Sequence, residues 1–270
     1  MSRPHSEDGF IFSAHFCKST VPLRVISAAQ ICFRRRSTSV GYASQDLSNK
    51  KYNAVGFCFA NVNADGVATL GDVTATGWNY ENDELRLLNP ANSVSTMKFL
   101  WLTAAEAEEL EVGNKAGWYD DEDYEYQNLR EFDLGSGFLT SLGSKGVSFT
   151  YSGQVYDQAF TIDCSGRKYN VIPNALPRDI TLGEISVTGW NYENDELRLL
   201  NPANSVSTMK FLWLTAAEAA ELEVGDKAGW YDDEDYQYQA NFSVTPACGF
   251  LTSLGSKSVK INLPAAINTL

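Results

Sequence analysis

The sequence predicts a mainly β protein: two tandem β-sandwich-like modules of about 110 residues, each with one short helix, behind a poorly ordered N-terminal segment. Three observations lead there. The chain carries a long internal repeat, its apolar residues alternate with polar ones at period two, and the alternating runs are short and punctuated by Gly, Asn and Pro.

The repeat sets the organisation. Thr76–Gln127 returns as Thr188–Gln239 at an offset of 112, with three of 52 positions changed: Glu108 to Ala220, Asn114 to Asp226 and Glu125 to Gln237. The block Asn128–Ser136 shares no position with Ala240–Cys248, after which Gly137–Lys145 and Gly249–Lys257 are identical. Lys51-Tyr52-Asn53 pairs with Lys168-Tyr169-Asn170 at an offset five residues longer, so the first copy holds a five-residue insertion. Boundaries follow at 1–45 for a basic segment, 46–157 for the first module and 158–270 for the second. The first segment is +4 while the remainder is −17, the asymmetry of a separate tail. Gly41-Tyr42-Ala43 before Ser44 has the small residues of a signal-peptidase site but no preceding apolar run, so no signal peptide is recognisable. A mature chain starting near Ser44 is the expectation it raises.

Within each copy the elements read in order. Leu85 and Leu87 flank Arg86 in a short strand ended by Asn89-Pro90. Met97, Phe99 and Trp101 alternate in a second strand, and their copies Met209, Phe211 and Trp213 repeat it. Thr103-Ala104-Ala105-Glu106 is a capping box that starts a helix before Gly113, repeated from Thr215. Phe149 and Tyr151, then Phe160, Ile162 and Cys164, alternate as further strands, with Cys164 a small buried hydrophobe.

Composition removes several function classes. A net charge of −13 disfavours nucleic acid, and no apolar run reaches the length of a membrane-spanning helix, so neither nucleic acid nor membrane insertion is expected. Histidine occurs only at His5 and His15, so a Ser-His-Asp system or a His-rich zinc site would have to recruit from the tail. The five cysteines are isolated, with no C-x-x-C pair.

Three constellations carry the candidate chemistry. Asn61-Val62-Asn63-Ala64-Asp65-Gly66, with Asp72 at the twelfth position, resembles the calcium loop of dockerins and EF hands. Asn61, Asn63, Asp65 and Asp72 are therefore the metal candidates, and calcium is the one cofactor the sequence raises. Asn61 at position one and Ala68 at position eight depart from that pattern, and a plain Asn/Asp/Gly turn is the competing account. Asp120–Asp123, copied as Asp232–Asp235, and Glu81, Asp83 and Glu84, copied as Glu193, Asp195 and Glu196, read as solvated loops; paired carboxylates for glycoside hydrolysis are the rival. Of six tryptophans, all in the repeats, Trp101 reads as buried. Trp78 and Tyr80, with copies Trp190 and Tyr192, read as exposed rings suited to stacking on a glycan.

Lys168-Tyr169-Asn170 leading to Leu182-Gly183, Ala116-Gly117-Trp118-Tyr119 and Gly137-Phe138-Leu139 resemble the tandem β-modules of bacterial secreted and surface proteins. The resemblance implies export and a non-catalytic role. The expected function is accordingly a tandem-repeat secreted or surface protein with a structural or adhesion role, not an enzyme. Its partners would be a protein or glycan at a surface, or itself. A calcium-dependent or glycan-binding module is the alternative, and a hydrolase of unknown type the third reading.

Overall fold

A computed structural model describes residues 40–47, 51–61, 67–89, 91–92, 94–201 and 206–265. All belong to one compact unit spanning Thr38–Leu270. The basic segment before residue 40 lies outside the described residues. Of the described residues, 45% are in strands and 8% in helices, so the mainly β, sandwich-like prediction holds.

The first copy is built from β1 (Val40–Asp46), β2 (Tyr52–Gly56), β3 (Val67–Thr69), β4 (Val73–Thr76), β5 (Glu84–Leu88), β6 (Ser95–Leu102), α1 (Ala104–Glu109), β7 (Gly117–Asp120), β8 (Glu131–Asp133), β9 (Gly137–Ser141) and β10 (Ser148–Gln154). The second repeats the series as β11 (Phe160–Asp163), β12 (Val171–Pro173), β13 (Ile180–Thr181), β14 (Ser186–Thr188), β15 (Glu196–Leu200), β16 (Ser207–Leu214), α2 (Ala216–Glu221), β17 (Gly229–Asp232), β18 (Ser243–Val244), β19 (Gly249–Ser253) and β20 (Lys260–Leu263). Each copy has a five-stranded antiparallel sheet, ordered β2-β9-β5-β6-β7 or β12-β19-β15-β16-β17. A three-stranded sheet, β1-β10-β4 or β11-β20-β14, and a two-stranded ribbon, β3-β8 or β13-β18, complete it.

β1 starts before the boundary at residue 46 that the repeat suggested. Its counterpart β11 has a different sequence, so comparing the copies could not reveal it. Ser44 stands inside β1, opposite Thr150, and a chain cut there would lose the pairs from Val40 to Ala43.

The two layers meet on aromatic rings. Trp118 on β7 is fully buried, packs edge-on to Phe149 of β10 at 5.7 Å, and its Nε1 donates to the Val73 carbonyl of β4 at 2.7 Å. That bond spans from the large sheet to the small one, and Trp230 Nε1 repeats it to Ile185 O at 2.9 Å. The other face of β6 is covered by α1, where Leu102, Ala107 and Tyr119 form a small separate cluster. The expected capping box is present: Thr103 Oγ1 accepts from Glu106 N–H while the Glu106 carboxylate accepts from Thr103 N–H at 2.7 Å. In the diverged block the same core space is filled from places two residues apart, which keeps the side chain on one strand face. Phe132 packs on Phe138 at 5.1 Å, whereas Phe242, the counterpart of Arg130, packs on Phe211 at 5.1 Å.

The copies share one continuous core, and their contacts are reciprocal. Gly56 and Pro173 hold the same pairing position, opposite Gly137 and Gly249, and they meet each other: a Cβ on Gly56 would lie 2.4 Å from Pro173 Cβ. Gln45 and Ile162 are likewise equivalent, opposite Phe149 and Ile261. Ile162 lies against Gly135, and Gln45 Nε2 donates to Cys248 Sγ at 2.9 Å, one residue beyond the counterpart of Gly135. Such contacts are those of a two-fold interface between equivalent partners, here joined in one chain.

Candidate functional site

The aromatic candidates separate. Trp78 packs half-buried against the main core, 5.2 Å from Trp118 and 5.7 Å from Phe149, and its Nε1 is buried without a hydrogen-bond partner, as is that of Trp190. Tyr80 joins the other cluster, beside Tyr124 under α1, and Tyr192 does the same in the second copy. Desolvation there, then the carboxylates of Glu81, Glu109 and Glu106, pushes the Tyr80 phenol above its ordinary value. The turn that begins at Asn79 therefore sends Trp78 and Tyr80 to different clusters. Trp101, expected to be buried, is only half-buried; Trp118 and its copy Trp230 are the tryptophans with no exposure.

The carboxylates are not uniformly solvated. Asp83 and Asp195 are fully buried, which corrects the solvated reading for those two, and each accepts backbone N–H groups from two loops. Glu84 pairs with Arg86 and with Lys98 at 3.0 Å, and Lys98 reaches Asp121 at 3.5 Å. Partial burial opposes ionisation of Glu84, but the bonds to Lys98 and Arg86 outweigh it and hold the carboxyl below its ordinary value. In the acidic run, Asp120 Oδ1 accepts from Glu122 N–H at 2.9 Å and Asp123 Oδ1 from Glu125 N–H at 3.2 Å, so these side chains brace their own turn.

Of the calcium candidates, Asn63 and Asp65 lie outside the described residues. Asp72 accepts from Thr69 N–H at 2.7 Å, Thr69 Oγ1 at 2.9 Å and Asn61 Nδ2 at 3.2 Å. Its counterpart Glu184 takes the Thr181 N–H at 2.9 Å, so this position caps a short 3₁₀ turn in both copies. Among the described residues no group of three or more His, Cys, Asp or Glu is placed to hold a metal ion.

A cleft of about 410 Å³ opens where the copies meet. One wall comes from β5 and the β8–β9 turn, with Leu87, Asp133 and Ser136; the other comes from Tyr156 and the β11–β12 region, with Asp163, Arg167 and Tyr169. The two junctions differ in one backbone bond. Gly56 N–H donates to Ala247 O at 2.9 Å across the junction, but the equivalent Pro173 has no N–H, so the matching bond to Gly135 cannot form. On the closed side Gln45 and Thr245 both donate to Cys248 Sγ, at 2.9 and 3.0 Å, and Tyr151 Oη donates to Gln45 Oε1 at 2.7 Å. Ile162, Asp133 and Ser136 stand in the places of Gln45, Thr245 and Cys248, and this side stays open. Sequence reasoning did not single out the cleft. The signal was the block 128–136, a stretch between two identical blocks where the copies share nothing.

The chain matches no protein-family model, no curated protein and no solved structure.

Proposed function

We propose that the protein is a non-catalytic binding protein with a structural or adhesion role outside the cell or at its surface. The observation that supports this reading is how change is distributed between the copies. The blocks 76–127 and 188–239 differ at three positions, all exposed, whereas Asp133–Ser136 of the diverged block line the junction. Two like faces held at a fixed separation on one body raise the effective concentration of the second contact, which favours binding over turnover. Protease shaving of intact cells expressing the gene tests it. Peptides from residues 76–127 and 188–239 should be released before lysis; release only after lysis overturns the surface reading. A glycan-binding reading is favoured by the cleft at the junction, which combines half-buried aromatic rings with ionisable groups.

A further inference from the structure

We infer that the cleft between the two copies is a saccharide-binding site. This rests on the glycan-binding reading above and deepens it by naming the residues that would hold the ligand.

The cleft is part of the architecture. It sits at one of two equivalent junctions, the one where Ile162, Asp133 and Ser136 replace Gln45, Thr245 and Cys248 and where Pro173 has no N–H to match the bond that Gly56 donates on the other side. Its volume, about 410 Å³, lies within the range of small-ligand sites, roughly 300 to 1,000 Å³.

Its lining selects the ligand. Tyr156 and Phe160 form an edge-to-face pair with centroids 6.0 Å apart, and Tyr169 adds a third half-buried ring. Such rings offer apolar faces to the C–H side of a sugar and, from the tyrosines, a polar edge. Asp133 and Asp163 are exposed carboxylates that accept hydrogen bonds from hydroxyls. The bonds from Ser165 hold the Asp163 carboxyl below its ordinary value and keep it an acceptor. Arg167 is exposed and forms no ion pair among the described residues, leaving its planar fork free to donate to ring or hydroxyl oxygens. A phosphorylated or polyanionic ligand would meet two carboxylates in a chain of net charge −13. A hydroxylated ring supplies donors, acceptors and an apolar face together.

The test is affinity electrophoresis of the full chain through soluble xylan, mixed-linkage β-glucan, galactomannan and glycol chitin. At least one should retard the protein, and Asp133→Asn with Arg167→Ala should weaken the apparent affinity at least tenfold while leaving the unfolding midpoint in place. Chemical-shift mapping on the unaltered chain gives a readout independent of the variant's folding. Amides of residues 133–137 and 160–171 should shift on adding the retarding polysaccharide's oligosaccharide. No retardation in any gel, retardation unchanged in the double variant, or shifts confined to residues 76–127 and 188–239 would each overturn the assignment. A positive shaving result alongside a negative gel removes the saccharide site alone. Failure of shaving removes the surface role whatever the gels show.

Discussion

Asp83 Oδ1 accepts the backbone N–H of Gly143 at 2.8 Å and of Ser144 at 2.9 Å, while its Oδ2 accepts the N–H of Asn79 at 2.8 Å. A carboxylate with no exposure is tolerated because three donors replace its water. It pins the turn before β5 to the loop after β9, and Asp195 does the same with Asn191, Gly255 and Ser256. Asp83→Ala leaves the Asn79 and Ser144 N–H groups without their acceptor, while Gly143 N–H keeps the Asn82 carbonyl at 3.1 Å. It should lower the unfolding free energy by about 2 kcal/mol or more, at 1 to 3 for each orphaned group. Urea denaturation measures this, and a loss below about 1 kcal/mol would contradict the role.

Two glycines should prove essential to the union of the copies. A Cβ on Gly56 would lie 2.4 Å from Pro173 Cβ, and one on Gly137 would lie 2.5 Å from the Val171 carbonyl. Gly56→Ala and Gly137→Ala therefore overpack the junction and should each cost about 1 to 3 kcal/mol. Gly166→Ala is the comparison: its φ is +70° with open space around it, so only the left-handed backbone conformation resists, at about 1 kcal/mol. Equal costs at all three sites would mean that the junction is not tightly packed.

Much of this was legible in residues that act locally. The helix and its cap follow from four consecutive residues, Thr103 to Glu106, and the strands of Glu84–Leu88 and Ser95–Leu102 from alternation and a turn. What was not legible depends on partners distant in sequence. Tyr151 bonds Gln45 across 106 positions, and Asp83 is buried by amides 60 positions away, so a charged stretch reads as solvated until those loops are placed. The cleft was hidden for a related reason. An X–Pro step at Pro173 reads as a turn or an edge, and only the packing of β2 against β12 shows that a bond made on one side is missing on the other.

Acid should destabilise the protein through its paired glutamates. Bonds from Arg178 lower the Glu184 carboxyl, and in Glu84 and Glu196 the Lys and Arg partners outweigh the opposing effect of burial. A carboxyl lower in the folded than in the unfolded chain contributes stability above its unfolded value, near the ordinary 4.5, and loses it as pH falls through the folded value. The unfolding midpoint should therefore hold as pH falls from neutral, then decline once it passes below 4.5. Glu84→Gln should make that decline shallower; an unchanged acid limb would remove this pairing as its cause.

The thiols should react in a fixed order. Burial pushes Cys58 and Cys164 up to about 12, leaving almost no thiolate at neutral pH. Cys248 is partly exposed. Iodoacetamide on the native chain should modify Cys248 ahead of Cys58 and Cys164, which should react readily only in denaturant, as read by peptide mass spectrometry. Rapid native labelling of Cys58 would show that the junction opens.

Asp72 separates the two accounts of the loop before β3. As a cap it holds Thr69 N–H and Oγ1 and the Asn61 amide without any ion, so Asp72→Ala should cost about 1 kcal/mol and by the same amount in calcium or in chelator. Glu184→Ala provides the internal comparison, because it removes the equivalent cap together with the Arg178 pair at 2.7 Å in a copy that lacks the inserted loop. Thermal melts of both variants with and without calcium decide the matter. A calcium-dependent gain in the unaltered chain that Asp72→Ala abolishes and Glu184→Ala retains would establish Asp72 as a ligand, since a cap alone has no reason to sense the ion.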